Sequence, residues 1–326
     1  MFRGCGWRRN VAEVAAALKA GKHAETLLEL NKMKRLRKRV KDVDYCRALC
    51  FLVGKDDVLH ARQALLEELR QFPENTAARM LLYDVNARVR SSLLPPAEVT
   101  KREPLFGLLC DALLDHTMLT WTRLYGLYLS AKEVCRRNQG GVLIECGVAG
   151  GGSAVLLAVV AAHYSGHPRK VYALDTFDGM PEPTASDILK GACTPAEATA
   201  WGSGTCSALQ ENVRRLAKNF DVEEHLVIFP GMFQETIPQV LKEIRTEGIV
   251  MMHVDADWYE STRCALELLW SLCAEGRRGA RWMTTTTGTG VEKAVDEFVQ
   301  SQAMDSSHTL LQLQPVDANA VCFTKP

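Results

Sequence analysis

No apolar run in these 326 residues approaches the ~20 that a membrane-spanning helix needs, so a helical membrane protein is excluded. An excess of one charge is missing too: 39 Lys and Arg balance 39 Asp and Glu. A neutral chain lacks the basic field that nonspecific nucleic-acid binding requires, and no nucleic-acid or membrane partner is expected. None of the 11 cysteines forms a Cys-x-x-Cys pair, which leaves neither a zinc ribbon nor a disulfide framework and reads as reduced thiols. No secretory apolar segment follows Met1, and Glu13 and Glu25 weigh against an organelle transit peptide, so the expected location is cytoplasmic. What remains, 47% hydrophobic and 24% charged residues, is globular composition with length enough for two domains.

Residues 1–92 read as helical throughout. Apolar residues recur at helical spacing in Val11–Leu18, Ala24–Leu30, Tyr45–Val53, Leu59–Leu69 and Ala77–Val85. The pair Tyr45–Val53 and Leu59–Leu69 resembles a tetratricopeptide unit: Tyr45, Ala48, Ala61, Leu65 and Pro73 fall on its large, small and turn positions, although Leu49 takes the usual glycine place. Too few units are present for a full repeat array. The run Lys32–Lys41 is strongly basic. It reads either as a nuclear signal or anionic-partner patch, or as a solvated helix face between hairpins. The helices also offer a surface for a protein partner or self-association.

Residues 93–104, opened by Pro95-Pro96, read as a linker. Beyond it, from 105 to 326, strands and helices alternate. Strands are expected at Val142–Ile144, Val171–Leu174, Leu226–Phe229, Ile249–Val254, Thr309–Leu313 and Val321–Thr324. Helices are expected at Leu105–Leu114, Leu119–Arg137, Ala154–Tyr164, Leu209–Phe220, Ile237–Arg245, Thr262–Cys273 and Val291–Val299. That order implies an α/β fold: a mainly parallel, Rossmann-like sheet with helices on both faces, preceded by an all-α module. Residues 183–207, rich in Ala, Thr, Gly and Ser, read as an insertion, either a lid or an ordinary surface loop.

The first strand runs into Glu145-Cys-Gly147-Val-Ala149-Gly150-Gly151-Gly152-Ser153. Glycines here let a ligand approach the backbone at a helix N-terminus. The spacing is not Gly-x-Gly-x-x-Gly, and a carboxylate two residues before the first glycine repels a pyrophosphate, so a nicotinamide oxidoreductase fails. The second strand ends at Asp175, placed to accept both hydroxyls of a ribose or to cap a helix. The fourth gives His253-Val-Asp255-Ala-Asp257, which strand alternation turns to one side at the ligand-binding edge of the sheet. Paired carboxylates there bind Mg²⁺ or share general-base work, while a histidine within a buried strand is more often a core residue.

These stations together resemble the macrocin O-methyltransferase (TylF-like) family of class I S-adenosylmethionine-dependent methyltransferases, from about His116 to the C-terminus. The likeness adds Thr117-Met118 with Arg123-Leu124, Asp175-Thr-Phe177-Asp-Gly-Met-Pro181, Gly231-Met-Phe233-Gln-Glu-Thr-Ile-Pro238, Asp255-Ala-Asp257-Trp-Tyr-Glu-Ser-Thr262 and Lys293-Ala-Val-Asp-Glu-Phe298. The resemblance implies methyl transfer from S-adenosylmethionine to a hydroxyl of a sugar or another small molecule, assisted by Mg²⁺. It implies cofactor contacts at Glu145, Gly147, Ala149, Gly150, Gly151, Ser153, Asp175, Phe177, Gly231, Phe233 and Asp257. Asp255 becomes both the catalytic base and a metal ligand.

One station departs. The family's fifth strand ends in Asp-Asp-Tyr, which completes the metal site; here the stretch is Arg281-Trp-Met-Thr284-Thr285-Thr-Thr-Gly-Thr289. Neutral hydroxyls do not replace two anionic ligands of a hard cation. The genetic code supplies a reason. GAC GAC TAC GAC TGG TAC GGN encodes Asp-Asp-Tyr-Asp-Trp-Tyr-Gly, and begun one base later it reads Thr-Thr-Thr-Thr-Gly-Thr, the sequence of Thr284–Thr289. The stretch therefore reads as a compensated frameshift closing near Gly290, after which the family pattern resumes. A Thr-rich strand of a divergent homologue is the other reading, and with it a non-catalytic interaction protein built on a degraded methyltransferase domain.

Overall fold

The computed structural model describes residues 11–37, 39–137, 139–187, 202–273, 281–285, 289–304, 311–317 and 320–325. They divide into two compact units. The first takes residues up to Arg90 together with Asp178–Glu182 and Glu197–Ala208; the second takes the rest.

The first unit is built on α1 (Val11–Lys19), α2 (His23–Arg35), α3 (Val43–Lys55), α4 (Val58–Gln71) and α5 (Thr76–Arg88). Asp57 and Asn75 open α4 and α5 by accepting the His60 and Ala78 amide N–H groups at 3.2 Å each. Small residues at the α3–α4 contact (Ala48, Ala61, Ala64) let the helices close on Phe51, Leu65 and Leu82. The basic run is exposed at Lys32, Arg35, Arg37, Arg39 and Lys41, with one exception. Lys34 is buried and sits 2.8 Å from both Asp44 and Glu67, and Arg47 holds the other Asp44 oxygen at 2.7 Å. Arg37 donates to the Asp178 carbonyl at 2.7 Å, and Arg35 pairs with Glu182 at 3.0 Å. Glu67 accepts the Cys206 amide N–H at 2.8 Å. Much of the cationic run is thus spent inside its own unit.

In the second unit, helices α6 (Arg90–Leu93), α7 (Ala97–Arg102), α8 (Pro104–Ala112) and α9 (Trp121–Arg136) precede the sheet, so the stretch read as linker carries α7. Then follow β1 (Val142–Cys146), α10 (Gly152–Tyr164), β2 (Val171–Asp175), α11 (Gln210–Asn219), β3 (Leu226–Pro230) and α12 (Phe233–Glu243). The unit continues with β4 (Ile249–Val254), α13 (Tyr259–Leu269), β5 (Arg281–Thr285), α14 (Thr289–Met304), β6 (Gln314–Asp317) and β7 (Ala320–Thr324). Among the described residues the sheet has seven strands in the order β3-β2-β1-β4-β5-β7-β6. β1 to β5 run parallel; β7 enters antiparallel between β5 and β6. Parallel strands covered on both faces are mostly apolar, and β1 and β4 are buried at every position, with Glu145 and His253 the polar exceptions. The last hairpin starts later than the sequence predicts: the expected strand Thr309–Leu313 becomes β6 at Gln314–Asp317, and its residues 309–310 lie outside the described residues. The core joins Ile144, Leu174, Met252, Ile237, Leu266 and Trp282. The chain order reverses between β1 and β4, and in open α/β sheets ligands bind outside the strand ends at such a switch point.

Candidate functional site

β2, β1 and β4 are adjacent and parallel, so their C-terminal ends lie side by side at this switch point. Gly147 leaves β1 at φ 93°, and a Cβ there would lie 2.0 Å from the Asp255 carbonyl oxygen. This glycine is demanded by the chain's own close approach, where the Asp255 amide donates to the Cys146 carbonyl at 2.8 Å. A Cβ on Gly152 would likewise lie 2.8 Å from the His116 carbonyl oxygen. Ala149 takes the left-handed conformation at φ 43°, a strained choice for a residue with a Cβ.

Asp175 explains how that turn is held. Its Oδ2 accepts the amides of Val148 at 2.7 Å and Ala149 at 2.9 Å, and its Oδ1 accepts that of Phe177 at 2.7 Å. The carboxylate staples the glycine turn of β1 to the end of β2. The expected ribose role therefore falls on a group that already organises the backbone, with a lone pair left on Oδ1. Phe177 is buried at φ 58°. Gly231 donates its amide to the Asp175 carbonyl at 2.9 Å, and Phe233 is buried in the apolar core at the start of α12.

Glu145 and His253 face each other across β1 and β4, both fully buried, with Oε1 and Nδ1 2.8 Å apart. Burial pushes the Glu145 carboxyl up, opposed by hydrogen bonds from His253 and Ser153. Neither Glu145 Oε2 nor His253 Nε2 has a well-aligned partner.

Strand alternation does not extend to the two aspartates. β4 ends at Val254, and the chain turns through Asp255 to Asp257, which sits at φ 60°. Burial and the charges of Asp255 and Asp175 hold the Asp257 carboxyl well above its usual range, with Arg123 pulling the other way. Arg123 on α9 is therefore a functional candidate to which no role had been given on sequence; its place in the Thr117–Leu124 motif was the only signal. Asp187 is a second. Its Oδ1 accepts the Tyr259 amide at 2.7 Å and so caps α13, while Oδ2 binds the Thr184 amide at 2.7 Å and the Thr184 hydroxyl at 2.9 Å. The Thr184–Asp187 part of the expected insertion is thus tied to the start of α13; residues 188–201 lie outside the described residues.

β5 brings Thr284 beside Val254 of β4, and Thr284 is buried. Thr285 ends the strand, and Thr286–Gly288 lie outside the described residues. Among the described residues no three His, Cys, Asp or Glu side chains converge as a metal-binding group. The expected Mg²⁺ site at Asp255 does not fit these residues.

The fold is one shared with solved O-methyltransferases. The solved O-methyltransferase NovP aligns with TM-score 0.52 at 24% identity over 64% of this chain and 82% of its own. The calicheamicin methyltransferase CalS11 aligns with TM-score 0.50 at 21% identity over 77% and 93%. The profile of the macrocin-O-methyltransferase (TylF) family matches residues 50–325, and the chain belongs to that family. Among curated relatives, the demethyldecarbamoylnovobiocin O-methyltransferase of Streptomyces niveus is 28% identical over 45% of this chain and 54% of its own length. A tetracenomycin rhamnosyl 4'-O-methyltransferase of Streptomyces olivaceus is 31% identical over 47% and 57%. The chain spans about half the length of the curated relatives it matches. No helix among the described residues is long and apolar enough to cross a membrane.

Proposed function

We propose that this chain is an S-adenosylmethionine-dependent O-methyltransferase acting on a hydroxyl of a sugar or a related natural product. The observation that carries it is the glycine turn that Asp175 staples between β1 and β2, with the buried Glu145 two residues before Gly147 and with Asp255 and Asp257 just past the end of β4. Carboxylates so placed suit a ligand with cationic groups. When bound, the cofactor supplies a methyl group on a sulfonium, with an ammonium at its far end. Glu145 Oε2, buried and without a well-aligned partner, fits the ammonium. The left-handed Ala149 and the Asp175 staple hold the turn that would pass beneath the sulfonium. Asp255, half-buried where β4 ends, is the group to orient a substrate hydroxyl and take its proton as the oxygen attacks. No step is routed through a metal. The site residues, the division into a helical module and a methyltransferase domain, and a small-molecule substrate all belong to this reading. So does the cytoplasm, which the buried cysteines of the described residues, none of them in a disulfide, fit.

A second reading rests on β5. Thr284 stands where the family carries an acid, and that favours a cofactor-binding scaffold without turnover, its helical unit serving a partner.

The test is a calorimetric titration with S-adenosylhomocysteine, followed by transfer of labelled methyl to a panel of sugar and phenol hydroxyls. The proposal expects binding and transfer by the parent chain, and for Asp255→Asn binding with transfer lowered by about 10²–10⁴-fold. Binding without any transfer supports the scaffold. No binding by folded protein removes the cofactor assignment.

A further inference from the structure

The Glu145–His253 pair is an expensive feature with no evident structural use. Across the sheet at its register lie Ala173 on one side and Met283 on the other, all buried. A carboxylate and an imidazole in such a row lose their hydration, and an apolar pair of similar volume would be at least as stable. The pair also leaves Glu145 Oε2 and His253 Nε2 without aligned partners. A buried, half-satisfied pair is kept where its open atom meets a ligand.

We propose that His253 is a positioning residue for the ligand's ammonium group, acting through Glu145; this rests on the cofactor reading above. The terminal torsion of a glutamate is broad and two-fold, so a carboxylate alone does not fix which oxygen it presents. With Glu145 ionised, Nδ1 of His253 is the donor, and it pins Oε1 at 2.8 Å. Oε2 is then the oxygen left to accept from a cationic N–H donor. His253 touches no ligand in this role. Its contribution is confined to the amino-acid end of the cofactor and absent at the adenosine end.

The test compares two amides that differ in where the donor sits. His253→Asn keeps an N–H near the Nδ1 position, and His253→Gln moves it out toward Nε2. Each variant is titrated with S-adenosylhomocysteine, which carries the ammonium, and with 5'-methylthioadenosine, which lacks it. The parent is expected to bind both ligands. His253→Asn should bind S-adenosylhomocysteine within about threefold of the parent, while His253→Gln should lose about tenfold or more, the cost of one hydrogen bond to a charged group. Methylthioadenosine should bind all three alike. Equal behaviour of Asn and Gln overturns the proposal. So does a loss shared by both ligands, which marks a structural role only. A parent that binds neither ligand overturns the cofactor reading itself, a separate failure from a missing split between the variants.

Discussion

β4 and β5 are neighbours in one sheet, parallel and paired from Met251↔Arg281 to Val254↔Thr284, yet they finish differently. β4 runs out into Asp255 and Asp257 in a strained, charged turn. β5 runs out into threonines. The fold accepts both, because threonine is β-branched and suits a pleated, buried strand as well as most residues do. The chemistry does not accept both: one strand end carries ionisable groups at the switch point, the other neutral hydroxyls. Two strands can be equally good structure and unequal chemistry, so an intact sheet is no measure of an intact site.

If β5 contributes packing, the largest effect comes from its aromatic anchor. Trp282 is fully buried, stacks on Phe323 at 5.5 Å and 10°, and lies 5.4 Å from Trp270. Trp282→Ala is expected to cost about 3–5 kcal/mol in denaturant unfolding. A cost below about 1 kcal/mol would show that β5 does not anchor the core and would break the comparison from the structural side. From the chemical side, replacing Thr284–Thr289 with Asp-Asp-Tyr-Asp-Trp-Tyr restores the acids that the family carries. In that variant Mg²⁺ should raise transfer by about tenfold to a hundredfold, the range seen when even an outer-shell partner of a metal is lost. The parent chain should not respond. Mg²⁺ stimulation of the parent would mean that Thr284 is no handicap and that the two strand ends are equivalent.

The strands and the glycine turn were legible because burial on both faces writes a mostly apolar run, and a turn at positive φ writes glycine. Partners were not legible. Lys34 lies in a run that reads as solvated charge, yet it is buried between Asp44 and Glu67, residues 10 and 33 positions away. Asp175 reads as a ribose acceptor or a cap, and nothing in the sequence pairs it with the amides of Val148 and Ala149, which it also holds across two strand ends. Asp187 in an expected loose insertion caps α13, 72 positions on. Periodicity reports which side chains are buried; it is silent on which polar groups meet once they are. The alternation argument for Asp255 and Asp257 failed for a related reason, since it holds only while the strand lasts, and β4 stops at Val254.

The smallest effect tests the charge on the β4 side directly. The Asp257 carboxyl, ordinarily near 3.8, is raised by burial and by Asp255 and Asp175. A carboxyl raised on folding binds more protons folded than unfolded, so it lowers stability as pH climbs from about 4 through its folded-state value. Asp257→Asn removes that charge, and asparagine tolerates the left-handed backbone this position requires. Without ligand, the variant should melt above the parent at neutral pH, by roughly 2–4 °C for each kcal/mol of repulsion relieved. The gap should close as the pH falls below about 4, where the parent's carboxyl is protonated in both states. On the β5 side, Thr284→Val removes no ionisable group, and its difference from the parent should stay flat with pH. An Asp257→Asn protein that melts lower than the parent at neutral pH would mean that Arg123 more than balances the carboxylates, and the β4 end would then need no cationic ligand at all.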